Sequence, residues 1–181
     1  MTTCFGSKIK LNMRYNLNAM KLLVYMLRQD DAKKCTAVKL VHFKIVNAVR
    51  RIPRKSLVLN PYSNLALCKS DNMLADTITA IDCSWNKVTN VFRQNYPGIN
   101  RRLPLLLAGN PTNYSKLGKL SSAEALAGAL SILGFNKLAF VLMNKFKWGH
   151  TFFDLNNELL KDYANGKDAN EIQRIEMEYF K

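Results

Sequence analysis

Short apolar runs separated by polar loops dominate the first two thirds of the chain. The run Lys21–Leu27 (KLLVYML) predicts a buried strand, and SLVLNP, DTITAID and RLPLLLAGNP predict three more. Two of these runs end in an Asn-Pro pair, which is typical of a turn. The stretch 37–49 (AVKLVHFKIVNAV) fits either a helix or a strand. Several short strands, each followed by a polar loop, predict a parallel α/β sheet whose ligands bind beyond the carboxyl ends of the strands.

The last third of the chain predicts helices instead. Four segments carry both start and stop signals, and they begin at Ser121, Asn136, Thr151 and Asp168. The first of these is a capping-box pattern, Ser-Ser-Ala-Glu. We therefore predict an N-terminal extension, an α/β part that binds cofactor and RNA, and a strand plus α-helical C-terminal part, with boundaries at 1–19, 20–103 and 104–181.

Positive charge is concentrated in the part of the chain that predicts strands. The net charge is +14, with +15 carried by residues 1–123 and −1 by residues 124–181. Such a distribution favours a polyanionic partner such as nucleic acid. Basic side chains recur in the predicted loops at one edge of the sheet, where they are suited to contact phosphates. We predict RNA contacts by Lys33, Lys34, Lys39, Arg50, Arg51, Arg54, Arg101 and Arg102.

Other features of the composition exclude some classes of protein. No apolar run approaches the roughly 18 residues that a membrane helix needs, so we expect no membrane partner. The four cysteines (Cys4, Cys35, Cys68 and Cys83) fit neither a zinc site nor a disulfide framework. Separate reduced thiols are typical of cytosolic proteins, so we expect a cytoplasmic location. No set of His, Cys and carboxylate residues has metal-ligand spacing, and we expect no metal.

The stretch ITAIDCSWN (78–86) combines two residues that suggest chemistry. Asp82 places a charge at the end of a buried run, and Trp85 follows three residues later. Asp82 can be a helix or turn cap and Trp85 a core residue, which are the commoner uses of these residue types. Alternatively, both lie at the carboxyl end of a central strand and face a ligand, where Trp85 offers a flat surface for a cation or an adenine.

Six motifs that occur in order along the chain resemble one family. They are DDAKKCTAVKL, LNP, DCSWN, RRLPLLLAGNPTNY, KLSSAEAL and WGHTFFDLNNELL. This order resembles the ribosome-biogenesis aminocarboxypropyl transferases that modify small-subunit rRNA, over about residues 21–180. The resemblance implies a SPOUT-like fold, with a knotted parallel sheet followed by an α-helical C-terminal part. It also implies transfer of the 3-amino-3-carboxypropyl group of S-adenosyl-L-methionine to a uridine or pseudouridine of the decoding region.

The resemblance also implies a cofactor site. It implies that the backbone of Ile81 binds the ribose, that the backbones of Leu103 and Gly118 bind adenine, and that Thr36 and Ser122 hold the amino acid tail. Asp82 would lie beside the ammonium and sulfonium groups. The residues themselves indicate further contributions, because such a cofactor needs flat apolar walls. We expect these walls to come from Leu59, Pro61, Leu103, Leu120 and Trp85.

The expected reaction is a single displacement in which a pyrimidine nitrogen attacks the γ-carbon and 5′-methylthioadenosine leaves. Asp82 is the candidate catalytic base. Trp85 and Val88 are placed to cover the cofactor's methyl group. Two alternatives stay open: an RNA methyltransferase of the same fold, and a non-catalytic rRNA-binding assembly factor. The expected partner is the small-subunit rRNA or its precursor subunit, bound by a monomer.

Overall fold

The computed structural model describes residues 20–27, 35–83 and 95–181. Its sheet has five strands in the order β2-β1-β4-β3-β5, and every neighbouring pair is parallel. The strands are β1 (Lys21–Met26), β2 (Asn47–Val49), β3 (Leu57–Leu59), β4 (Thr77–Asp82) and β5 (Ile99–Arg101). The predicted N-terminal extension, residues 1–19, lies outside the described residues.

The helices follow the sequence signals closely in the last third of the chain. In chain order, the described α-helices are α1 (Thr36–His42), α2 (Ser122–Ile132), α3 (Asn136–Met143), α4 (Gly149–Asn165) and α5 (Ala169–Tyr179), and a short 3-10 helix spans Lys69–Met73. None of the described helices is long and apolar enough to span a membrane. The predicted fold class, a parallel sheet followed by an α-helical part, is confirmed. The knot stays a prediction.

Strand β4 lies at the centre of the sheet, and its largely apolar sequence suits a strand that is buried on both faces. Thr77–Asp82 is buried along its whole length, pairs with β1 on one side and β3 on the other, and packs against α2. A near-continuous apolar run is what a parallel strand covered on both faces requires. One buried apolar cluster extends from Met20 to Ile172, so the strand-rich and helical parts share a core.

Two predicted elements differ from the structure. The ambiguous stretch 37–49 contains both a helix and a strand, α1 and then β2. The fourth predicted strand, RLPLLLAGNP, is wrong in position: the strand in this part of the chain is β5, at one edge of the sheet, and residues 103–108 run beyond it as an extended segment outside the sheet. The apolar run misled the prediction because apolar contacts with helices produce the same pattern as burial in a sheet.

Candidate functional site

A cavity of about 620 Å³ lies at the carboxyl edge of the sheet. Its floor is formed where β3, β4 and β5 end and where α1 and α2 begin. This is the position at which open parallel sheets bind ligands, because the loops leaving neighbouring strands diverge there. Nine of the ten residues predicted to bind cofactor line it: Thr36, Leu59, Pro61, Ile81, Asp82, Leu103, Gly118, Leu120 and Ser122. The tenth, Trp85, lies outside the described residues, as does Val88.

Asp82 is held at the floor of this cavity by two donors from different elements. Its Oδ1 accepts a hydrogen bond of 2.7 Å from Ser122 Oγ, and its Oδ2 accepts one of 3.2 Å from Cys35 Sγ. Ser122 is the first residue of α2, and Cys35 directly precedes α1. Asp82 therefore joins the end of the central strand to the starts of two helices, and it is the only carboxylate among the described residues that line the cavity.

The Cys35 thiol stays protonated at neutral pH. Burial raises its pKa to about 11, and the neighbouring charge of Asp82 acts in the same direction. Because a protonated thiol has a hydrogen to donate, Cys35 serves Asp82 as a donor rather than as a competing anion.

Thr36 provides a second link between α1 and α2. Its Oγ1 accepts a hydrogen bond of 3.3 Å from the backbone N–H of Ala123. The two residues that the family resemblance places at the amino acid tail, Thr36 and Ser122, are thus brought to the same end of the cavity as Asp82. Their contact with a cofactor stays a prediction.

A second part of the cavity lining, the apolar wall, is made of aliphatic and aromatic residues. Leu59, Pro61, Leu103 and Leu120 line it as expected, and Pro104, Leu105, Phe146 and Trp148 add to it. Trp148 is half-buried, packs against the core, lines the cavity and lies 5.2 Å from Phe146 between ring centroids. The sequence pattern missed it because a tryptophan between two helices gives no sign of which side it faces.

The backbone of Leu103 has unused hydrogen-bonding groups. Among the described residues, no hydrogen bond to its N–H or its carbonyl is found, and Leu103 lines the cavity. Gly118 has φ +70°, a conformation that glycine adopts without strain, and its N–H donates to Leu106 O at 2.9 Å. Leu103 can thus present both of its backbone groups to a flat ligand and Gly118 its carbonyl, and their contact with adenine stays a prediction.

Glu124 fixes the rim of the cavity from inside the protein. It is fully buried, and its carboxylate accepts hydrogen bonds of 2.7–2.9 Å from Gly109 N, Asn110 N, Asn110 Nδ2 and Ser121 N. The bond to Ser121 confirms the predicted capping box. The bonds to Gly109 and Asn110 join a distant loop to the start of α2, which the sequence alone did not reveal.

The predicted RNA-binding residues occupy three different situations. Arg50, Arg51 and Arg54 are exposed in the loop after β2, and Lys39 is exposed beside the cavity. Lys33 and Lys34 lie outside the described residues.

The two consecutive arginines after β5 are engaged within the protein. Arg101 forms an ion pair of 3.0 Å with Asp71, and Arg102 forms a bidentate pair with Glu176 at 2.7 Å. Their predicted contact with RNA stays a prediction, but a guanidinium already paired with a carboxylate has less to gain from a phosphate.

No metal site is found in the part of the chain that the structure describes: no three His, Cys, Asp or Glu residues lie close enough together to hold an ion. His150 lies exposed in the first turn of α4 and does not line the cavity.

Comparison with known proteins identifies similar families, sequences and structures. Residues 57–180 match the family model described as "Ribosome biogenesis protein, C-terminal". The chain is 42% identical over 167 residues to a 16S rRNA aminocarboxypropyltransferase of Methanococcoides burtonii, which covers 87% of this chain and 94% of that protein. A protein of the same name from Methanothermobacter thermautotrophicus is 43% identical over 167 residues, covering 88% and 98%.

A solved structure also resembles the chain. It is described as the SAM-dependent rRNA:acp-transferase Tsr3 from Vulcanisaeta distributa, and it aligns with a TM-score of 0.75 and 36% sequence identity. The alignment covers 87% of this chain and 96% of that one, so the similarity includes both the sheet and the helical part.

Proposed function

Because the chain belongs to the ribosome biogenesis family that includes the 16S rRNA aminocarboxypropyltransferases, we propose that it transfers the 3-amino-3-carboxypropyl group of S-adenosylmethionine to a uridine or pseudouridine of small-subunit rRNA. The observation that carries this proposal is the cavity at the carboxyl edge of the sheet. It combines one buried carboxylate, an apolar wall and unpaired backbone groups of Leu103 in a single enclosure.

The residues of the cavity fit S-adenosylmethionine. A volume of about 620 Å³ lies within the range of roughly 300–1,000 Å³ that is usual for sites of small ligands. The apolar wall suits the adenine, and Asp82 supplies a negative charge for the sulfonium and ammonium groups. We assign the backbones of Leu103 and Gly118 to the adenine and that of Ile81 to the ribose. Thr36 and Ser122 are assigned to the amino acid tail, and they lie within hydrogen-bonding distance of Ala123 and Asp82 respectively.

When bound, this cofactor supplies a γ-carbon already activated by its sulfonium, so the protein mainly has to orient and desolvate the reactants. A pyrimidine ring nitrogen forms the new bond to the γ-carbon, the carbon–sulfur bond breaks with its electron pair going to sulfur, and 5′-methylthioadenosine leaves. The ring nitrogen loses its proton. Asp82 is a candidate acceptor of that proton, but both its oxygens already accept hydrogen bonds. Its geometry therefore favours a role in holding the cofactor's positive charge.

We propose that the RNA approaches over the exposed basic loop after β2 and along α1. Arg50, Arg51 and Arg54 lie on that loop, and Lys39 on α1 borders the cavity. Lys39 is suited to contact a phosphate beside the target nucleotide, because it is an exposed basic residue that lines the cavity. We also propose that the protein acts as a monomer in the cytoplasm.

The decisive experiment follows the two electrophilic carbons of the cofactor. S-adenosylmethionine labelled either in the methyl group or in the carboxyl carbon is incubated with the protein and its precursor small-subunit RNA. We expect carboxyl label in the RNA, no methyl label, and release of 5′-methylthioadenosine. Methyl label in RNA with release of S-adenosylhomocysteine would make the protein a methyltransferase. RNA binding without affinity for the cofactor would make it a non-catalytic assembly factor.

A further inference from the structure

The extended segment 103–108 is held in place by side chains of distant helices as well as by backbone pairing. Leu105 N–H donates to Glu176 Oε1 at 2.8 Å, and Leu105 O accepts from Tyr163 OH at 3.1 Å. Glu176 is on α5 and Tyr163 is on α4. A segment that leaves a sheet must satisfy its backbone groups in another way, and here the helical part of the protein provides the partners.

The same carboxylate of Glu176 also holds Arg102. Arg102 Nη1 and Nη2 donate to Oε1 and Oε2 at 2.7 Å each, which is the bidentate geometry that fixes a guanidinium most firmly. The two side chains are 25% and 8% exposed, so the pair is largely shielded from water. The hydrogen bonds that Arg102 donates to Glu176 raise the pKa of Arg102 further above its ordinary range, so the pair stays charged.

Leu103 and Pro104 lie between these two points of attachment. The side chain of Arg102 and the N–H of Leu105 are both held by one carboxylate, so the position of the intervening residues is restricted from both sides. Leu103 and Pro104 line the cavity, and the backbone of Leu103 has no hydrogen bond among the described residues. Glu176 itself does not line the cavity. Any effect it has on a ligand must therefore pass through Arg102 and Leu105.

We propose that Glu176 is a positioning residue for the adenosine part of the cofactor, because it holds the segment Leu103–Leu105 so that the unpaired backbone of Leu103 faces the cavity. This inference rests on the proposed function, in which Leu103 binds adenine. It assigns a role in cofactor binding to the last helix of the fold, which contributes no residue to the cavity surface.

The test compares Glu176→Gln with a matched control on the same helix. Glu178→Gln removes the same charge from an exposed position on α5. Binding of S-adenosylmethionine and of 5′-methylthioadenosine is measured by calorimetry for both variants and for the unmodified protein. The two ligands share the adenosine and differ in the amino acid part, so they separate an effect on the adenine end from an effect on the tail.

For Glu176→Gln we expect the Kd of both ligands to rise by the same factor, about tenfold or about 1.4 kcal/mol of binding free energy, because Leu105 N–H and Arg102 lose the charged acceptor that holds them. The kcat at saturating S-adenosylmethionine should stay within about twofold, because the positioning acts on binding and not on the displacement step. Glu176→Asp keeps the charge and should recover part of the affinity, and Glu178→Gln should change neither ligand's Kd.

Other results would overturn the inference. If Glu176→Gln is folded and binds both ligands normally, Glu176 does not position the segment. If it weakens S-adenosylmethionine but not 5′-methylthioadenosine, it acts on the tail. If Glu176→Gln fails to fold, Tyr163→Phe decides, since it removes only the hydroxyl that donates to Leu105 O; it should weaken both ligands equally, and unchanged affinity refutes the proposal. Failure of the unmodified protein to bind either ligand would instead overturn the proposed function.

Discussion

Replacing Asp82 with asparagine tests whether the cavity uses this negative charge to hold the cofactor. S-adenosylmethionine carries a sulfonium and an ammonium group, whereas 5′-methylthioadenosine carries neither. Two unit charges about 4 Å apart attract by about 1 kcal/mol in water and about 4 kcal/mol at an effective dielectric constant of 20. Asp82 is 6% exposed at the floor of a cavity that opens to solvent, so the binding free energy lost with its charge should lie between these values. We therefore expect the Kd for S-adenosylmethionine to rise at least about fivefold.

The fold should survive this change. Asparagine keeps the size of the side chain, and Ser122 Oγ and Cys35 Sγ would still have a polar partner in place of Oδ1 and Oδ2. A hydrogen bond to a charged group contributes about 1.5–3 kcal/mol and a neutral one about 0.5–1.5 kcal/mol, so the expected destabilisation is about 1–2 kcal/mol.

The assay measures both ligands by calorimetry at one salt concentration, with Asp154→Asn as the control. Asp154 is an exposed carboxylate on α4 that does not line the cavity. We expect Asp82→Asn to raise the Kd for S-adenosylmethionine and to leave the Kd for 5′-methylthioadenosine within about twofold, because only S-adenosylmethionine carries positive charges that Asp82 attracts. Equal weakening of both ligands, or of neither, would refute an electrostatic role for Asp82.

Three further predictions concern stability and RNA. Burial raises the pKa of the Cys35 thiol from 9.0 to about 11, so its contribution to the stability of the folded state is complete below pH 9 and is lost as pH rises through about 11. Between pH 9 and 11 the free energy of unfolding of Cys35→Ala, measured with urea, should therefore fall less than that of the unmodified protein; equal falls would contradict this prediction. Glu124→Gln should lower the free energy of unfolding, measured by thermal denaturation, by about 3 kcal/mol, because it removes the charge at the centre of a fully buried hydrogen-bond network. A change within about 0.5 kcal/mol, the range of an ordinary surface substitution, would contradict a stabilising role for this network. Replacing Arg50 and Arg51 with Gln should lower the magnitude of the slope of log K against log salt concentration for RNA binding by about one per lost phosphate contact, and an unchanged slope would exclude these two arginines from the RNA surface. Arg101→Gln should lower stability because Arg101 is paired with Asp71; the same salt titration of this variant shows whether Arg101 also contacts a phosphate.

Local sequence patterns predicted the strands and helix starts whose formation depends on neighbouring residues. The strands β1, β3 and β4 were found from short apolar runs, and the start of α2 from its capping box. Residues 103–108 were not, because their apolar side chains give the same signal whether the backbone pairs with a strand or with helix side chains such as Asn156, which bonds both the N–H and the carbonyl of Leu107.

The candidate site could be predicted only in part for a similar reason. Asp82 was marked by its place at the end of a buried strand, but its donors Cys35 and Ser122 lie 47 and 40 residues away in the sequence. Arg101 and Arg102 were assigned to RNA because basic side chains recur in the predicted loops at one edge of the sheet, and that assignment stays a prediction. The carboxylates that pair with them come from the 3-10 helix and from α5, and no local pattern shows such pairing.

The attachment of segment 103–108 to α5 has a consequence for how the protein is made. Arg102 and Leu105 are synthesised 74 and 71 residues before Glu176, so during translation the sheet and the residues at its carboxyl edge are made before the carboxylate that holds Arg102 and Leu105. Contacts of such long sequence separation form late, because they require a large loop to close. A nascent chain that has completed the sheet but not α5 should thus capture the cofactor poorly, and the enzyme would acquire its substrate affinity only near the end of its own synthesis.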